Sequence, residues 1–292
     1  MTDNVKGALW MMLAMVGFAV EDAFFKAATG AGWTSPGMGT LQFGLTAMAI
    51  YAVIARRSDR PLWHPAYLQP RLLIRTGFEI MGRLFFALSL AYNTLSLTSS
   101  ILQAAPLVVM LGAALVLGER IGPRRWVAMG LGLVGVMMIL RPTPEHFTPT
   151  AVFAVLGMLG FALRDLATRT APAQVHSSQL GLLGFAVVTV AGLVILAFEP
   201  GPPRLPTPMG AAFISATAIA GVIGYSALTA AMRSGEVGVV APFRYFRLLV
   251  ALVFAFALFG ERPDAMTLSG AALVVGSGLY SLLRERRRRQ RR

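Results

Sequence analysis

Apolar residues run along this chain in ten long blocks, near residues 4–28, 35–55, 72–92, 95–118, 124–140, 148–168, 177–197, 207–232, 236–260 and 264–283. Each is close to the ~20 residues that a helix needs to cross a bilayer core. Between them, polar residues gather in short connections marked by glycine and proline, as from Gly30 to Pro36 and from Glu199 to Pro208. Lipid offers the backbone no hydrogen-bond partner, so blocks of this length predict helices that close their own ladders. The expected fold class is an all-α membrane protein of ten transmembrane helices. No connection is long enough for a separate soluble domain. The first block starts close to Met1 with no charged leader or small-residue cleavage site, which predicts a retained span.

The pattern also repeats. Gly17-Phe18-Ala19-Val20-Glu21-Asp22-Ala23-Phe24-Phe25-Lys26 returns 143 positions later as Gly160-Phe161-Ala162-Leu163-Arg164-Asp165-Leu166-Ala167-Thr168-Arg169. Gly118-Glu119-Arg120 returns 142 positions later as Gly260-Glu261-Arg262. Two echoes at one spacing predict two related halves, residues 1–141 and 142–283, each of five spans, followed by a basic tail at 284–292.

Charge sets the orientation. Of the 26 lysines and arginines, eighteen fall in one set of connections or at the span ends that adjoin them, three in the opposite set and five deeper inside spans. Basic connections stay on the cytoplasmic side, so both termini are expected in the cytoplasm of a multi-pass, bacterial-type inner membrane protein. With five spans per half, the second half enters the membrane upside down. Inverted repeats are the architecture of alternating-access transporters, with the site near the midplane, although some channels share it.

Composition narrows the classes. Hydrophobic residues make up 56% and charged residues 13% of the chain, and mean hydropathy is +0.66, against roughly 25% charged in soluble domains. The net charge of +13 follows from loop charge without invoking nucleic acid. Absence of cysteine removes thiolate metal sites, and His64, His146 and His176 all lie in connections, so neither metal nor cofactor is expected. No intramembrane histidine, His-Glu-x-x-His pattern or phosphate-binding loop is present, which argues against an enzyme or an ATP-driven pump. Gly130-Leu131-Gly132-Leu133-Val134-Gly135 has dinucleotide-loop spacing but no preceding strand, so helix packing is the expected use of its glycines.

The ten spans in two halves, the paired Gly-Phe-Ala and Gly-Glu-Arg stretches and the closing run from Leu268 to Tyr280 together resemble the EamA branch of the drug/metabolite transporter superfamily. That resemblance implies a secondary transporter of small polar metabolites. Amino-acid export is the leading expectation, and import of a vitamin such as riboflavin is the alternative. It also implies a pathway between the halves, lined largely by spans 1, 3, 4, 6, 8 and 9.

Charges inside spans are costly and mark candidate sites. Asp22 and Lys26, Glu79 and Arg83, and Asp165 and Arg169 each stand four apart, as gate charges or intrahelical ion pairs. With a base four positions beyond each acid, facilitated diffusion or exchange is expected over strict proton coupling. Arg244 and Arg247 lie at mid-depth on one face of span 9, suited to a substrate carboxylate or to a bridge with Glu79 or Asp22. Gln103 aligns with Tyr245 at the repeat offset. The substrate-binding candidates are therefore Arg83, Gln103, Tyr225, Arg244, Tyr245 and Arg247. Expected partners are a small molecule bearing a carboxylate, the bilayer, and anionic lipid at the tail. A monomer or homodimer is expected.

Overall fold

The computed structural model describes residues 3–93, 98, 101–141, 149–172, 174–199, 201, 203–250, 253 and 264–290. Among them the chain is all-helical, with ten α-helices. These are α1 (Asp3–Gly30), α2 (Pro36–Arg57), α3 (Pro70–Tyr92), α4 (Ala105–Val116), α5 (Pro123–Leu140), α6 (Ala151–Arg169), α7 (Ser177–Phe198), α8 (Pro208–Arg233), α9 (Val237–Val240) and α10 (Ala265–Gln290). Their starts follow the sequence chemistry. Proline opens α2, α3, α5 and α8, where its missing N–H costs nothing. Ser35 and Thr207 accept from the Met38 and Gly210 N–H groups, and His176 with Gln179 forms a reciprocal cap on α7.

Two expected spans are not continuous helices. α4 starts only after a turn at Gln103 and Ala104. α9 passes into a 3₁₀ turn over Ala241–Tyr245, with Pro242 in its first positions, before helix resumes at 246–250. Proline removes a backbone donor there and breaks the α-ladder. The rest of span 9, including Gly260-Glu261-Arg262, lies outside the described residues, as does His146. At the other end α10 continues past the expected span to Gln290.

Six helices, α1, α2, α5, α6, α7 and α8, are long and apolar enough to cross a membrane. α3 has the length, at 23 residues, but carries Arg75, Glu79 and Arg83 in its middle. Large apolar side chains such as Leu115, Val116 and Phe198 are exposed, as a lipid-facing surface requires.

Packing joins early helices to late ones. The most extensive pairs are α1 with α8, α2 with α7, α3 with α6 and α5 with α10. Glycines set the closest crossings. A Cβ on Gly17 would lie 2.8 Å from the Gly224 Cα, and one on Gly160 would lie 2.4 Å from the Gly82 nitrogen. The first residue of each repeated stretch thus marks a backbone-to-backbone contact. Gly135 touches Gly270 in the same way, a Cβ there falling 2.5 Å from the Gly270 oxygen, so this part of the glycine run serves packing. One core, including Met11, Met110, Met129, Met158, Met232 and Tyr245, fills the space among α1, α4, α5, α6, α8 and the 3₁₀ turn. A second, with Phe43, Tyr51, Phe185 and Tyr225, lies among α2, α7 and α8. The connection before α3 docks through Tyr67, whose hydroxyl donates to the Leu62 and Gln179 carbonyls. Burial pushes this phenol up to about 12, which keeps it a donor at physiological pH.

Candidate functional site

Along α3, Arg75, Glu79 and Arg83 recur every four residues and therefore form one stripe. The stripe faces α6 and α8. Glu79 is fully buried, and its carboxylate collects more partners than any helix-internal pair could provide. Arg164 Nη1 donates to Glu79 Oε1 at 2.8 Å, and Arg75 Nη2 reaches Oε2 at 3.3 Å. The Tyr225 hydroxyl donates to Oε2 at 3.0 Å and itself accepts from Arg75. Arg75 Nε donates to the Thr168 hydroxyl at 3.0 Å, which in turn donates to the Arg164 carbonyl. Guanidinium planes lie over rings as well: Arg164 is 5.5 Å from the Phe161 centroid and 5.6 Å from that of Tyr225.

The network continues through Asp165. Arg164 Nε stands 2.7 Å from Asp165 Oδ1, and Arg244 donates to the other carboxylate oxygen. Three residues on, Arg247 donates to Asp22 of α1. The broken ninth span therefore grips both copies of the repeated aspartate. The two grips differ in exposure: Arg244 and Asp165 are 13% and 1% exposed, Arg247 and Asp22 36% and 56%.

Arg83 is held more loosely. It lies 3.6 Å from Glu79, beyond hydrogen-bond range, is 22% exposed and sits over the Phe161 ring at 5.8 Å. Its Nε has no hydrogen-bond partner among the described residues.

Of the expected site residues, Glu79, Asp165, Arg244 and Tyr225 meet in one cluster, with Arg83 at its margin. The intrahelical reading of two pairs gives way to contacts between helices. Asp22 pairs with Arg247 while Lys26 is exposed, and Asp165 pairs with Arg164 and Arg244. Arg169 instead lies 3.8 Å from Glu119 and donates to the Met232 carbonyl. Glu119 also accepts from the Val237 and Gly238 N–H groups, so the first Gly-Glu-Arg stretch caps α9. The bridge expected between Arg244 or Arg247 and Glu79 is replaced by those to Asp165 and Asp22. Tyr245 is fully buried, packed against Gly132 of α5, and its hydroxyl has no partner among the described residues. Gln103 is half-buried at the turn before α4. Two members of the cluster, Arg75 and Arg164, are not among the expected site residues. The Arg75–Glu79 spacing, identical to Glu79–Arg83, was the available signal for the first.

No group of three or more metal-ligating side chains occurs among the described residues. The arrangement offers charge selection and rearrangeable ion pairs between helices, without a nucleophile paired to a base.

A riboflavin transporter of Rhizobium johnstonii is 29% identical over 98% of this chain and 94% of its own. An S-adenosylmethionine uptake transporter of Rickettsia prowazekii is 22% identical over 97% and 94%, and the pseudopaline exporter CntI of Pseudomonas aeruginosa 26% identical over 92% and 93%. A solved crystal structure covering 96% of this chain and 97% of its own superposes with a TM-score of 0.79 at 20% identity, a likeness of fold. The family model described as the EamA-like transporter family matches residues 5–141 and again 148–283. By that double match, the chain belongs to the EamA-like transporter family of multi-pass membrane proteins.

Proposed function

We propose that this protein is a secondary transporter that moves a small carboxylate-bearing metabolite across the inner membrane by alternating access between two inverted five-helix halves, residues 1–141 and 142–283. The observation that carries this reading is the unequal grip of span 9. Arg247 holds the exposed Asp22 and Arg244 the buried Asp165. A carrier needs one mouth sealed while the other is open, and two exchangeable ion pairs on one broken helix supply that asymmetry. The matched pairs α1–α8 and α3–α6, with their glycine crossings, and the two family matches support the repeat. Arg83, the guanidinium with donors to spare, is the contact for the carboxylate. Amino acids are the leading cargo class. Uptake of a riboflavin-like vitamin is the second reading, favoured by the relative of that name.

Two measurements test this. A reporter fused after Arg292 should report from the cytoplasm, following the loop charges; a periplasmic signal would remove the inverted arrangement. In proteoliposomes, flux of at least one compound among labelled amino acids, S-adenosylmethionine and riboflavin should saturate. Arg83→Gln should raise its half-saturation concentration roughly ten- to a hundredfold, the range of one charge-assisted bond. Flux that rises linearly with concentration would indicate a channel, and no flux of any compound would sink the transporter reading.

A further inference from the structure

Glu21 stands apart from every other acid in the described spans. Asp22 has Arg247, Glu79 has Arg75 and Arg164, and Asp165 has Arg164 and Arg244. Glu21 is half-buried on α1 and makes neither a hydrogen bond nor an ion pair among the described residues. A carboxylate in a membrane span is costly unless something binds it.

The repeat explains how it loses its partner. At the offset of the repeated stretch, Glu21 corresponds to Arg164. Arg164 finds Glu79 on α3, and at the 142-residue offset Glu79 corresponds to Gly221 on α8. Glu21 does face that glycine: a Cβ on Gly221 would lie 3.0 Å from Glu21 Oε2. The same correspondence holds for the glycine crossings, Gly17 with Gly224 and Gly160 with Gly82. One half fills this position with an internal salt bridge. The other sets a carboxylate opposite bare backbone.

The surroundings limit what can bind. The charges acting on Glu21 are Asp22 of its own helix, Arg83 of α3 and Arg247 of span 9; α8 presents Gly221, and Phe43 of α2 closes the same spot. Arg247 is committed to Asp22. Arg83 forms no ion pair with Glu21; it stays 3.6 Å from Glu79, and its Nε makes no hydrogen bond among the described residues. Glu79 has already taken Arg164, Arg75 and the Tyr225 hydroxyl. A cation held only loosely, 3.6 Å from Glu79, and an anion without a partner thus stand separated, with Phe161 under Arg83 and Phe18, three residues before Glu21, on its helix face.

We infer that Glu21 and Arg83 are the two poles of a zwitterion site, Glu21 taking a primary ammonium at the Gly221 wall and Arg83 the carboxylate. The inference rests on the transporter reading and narrows its cargo to compounds bearing both charges. A neutral ring system such as riboflavin would leave both poles unanswered.

The test uses the purified full-length chain in detergent. Binding of the common amino acids and S-adenosylmethionine is measured first. The tightest ligand is then compared with its N-acetyl and methyl ester derivatives and with riboflavin. In the wild type, acetylation and esterification should each weaken binding about ten- to a hundredfold. Glu21→Gln should erase the penalty for acetylation and keep that for esterification; Arg83→Gln should do the reverse. Glu21→Asp should retain the amine preference at reduced affinity, and it carries the test should Glu21→Gln yield no folded protein. Amine discrimination that survives in Glu21→Gln, or is lost in Glu21→Asp, overturns the assignment. Binding and saturable transport of riboflavin with no zwitterion bound would overturn it while leaving the transporter reading intact. Absence of saturable flux for the whole panel would remove both.

Discussion

Glu79→Ala is expected to leave little folded protein. One fully buried carboxylate there meets the guanidiniums of Arg75 and Arg164, with Arg83 at longer range, and accepts from Tyr225. Arg75 is only 1% exposed, its Nη1 already lacks a partner among the described residues, and without Glu79 it would keep only the neutral hydroxyls of Thr168 and Tyr225. Removing one member of a buried ion pair costs about 3–5 kcal/mol, because the remaining charge is stranded in a low dielectric. Here the Arg75 guanidinium would be left without a counter-charge and Arg164 with Asp165 alone, against a total stability of roughly 5–15 kcal/mol. Glu79→Gln keeps an acceptor for Arg164 and should fall between Ala and wild type. Monodisperse yield and melting temperature in detergent give the readout. Wild-type values for Glu79→Ala would contradict a central role for this carboxylate.

Arg244→Gln and Arg247→Gln should behave very differently, although they stand on one face of one helix. Arg244 closes a buried pair with Asp165, so its loss should cost several kcal/mol, near the ~3–5 kcal/mol of a broken buried bridge. Arg247 and Asp22 are far less enclosed than Arg244 and Asp165, so losing Arg247 should cost clearly less. Asp165→Asn should restore part of the yield lost in Arg244→Gln, since it removes the stranded acid. The rescue stays partial because Asp165 also holds Arg164. Neutralising Glu79 in the Arg244→Gln background should worsen it. A double-mutant cycle at 165 and 244 isolates the coupling, and equal costs for the two arginine variants would contradict these assignments.

The helices were legible because their signals are local. Apolar runs of spanning length, proline at first positions and Ser35, His176 and Thr207 as caps fix α2, α7 and α8 to within one or two residues. The breaks in spans 4 and 9 were less so, since apolar character continues on both sides of Gln103 and Ala241, and Pro106 and Pro242 were the only hints. The site followed the same division. Charged residues in spans announce themselves, but a spacing of four residues reports only neighbours on one helix. The partners come from 79, 85 and 225 residues away, in Asp165–Arg244, Glu79–Arg164 and Asp22–Arg247. Arg75 looked like a loop charge because Pro70 and Arg71 mark a helix start, and its burial depends on Thr168 and Tyr225, which only the fold brings near.

The pairing of α1 with α8, α2 with α7, α3 with α6 and α5 with α10 has a consequence for how the chain is made. Each of these contacts joins a helix completed early in translation to one completed late, so none can form while only the first 141 residues exist. At roughly 5–20 residues per second, Arg164 reaches its place on the order of ten seconds after Glu79. Through that interval α3 holds Arg75 and Arg83 against one acid, at about 2.5–3.5 kcal/mol per arginine left at the centre of a lipid-exposed helix. That cost predicts that α3 stays beside the insertion machinery until α6 arrives, and that the two enter the bilayer as a pair.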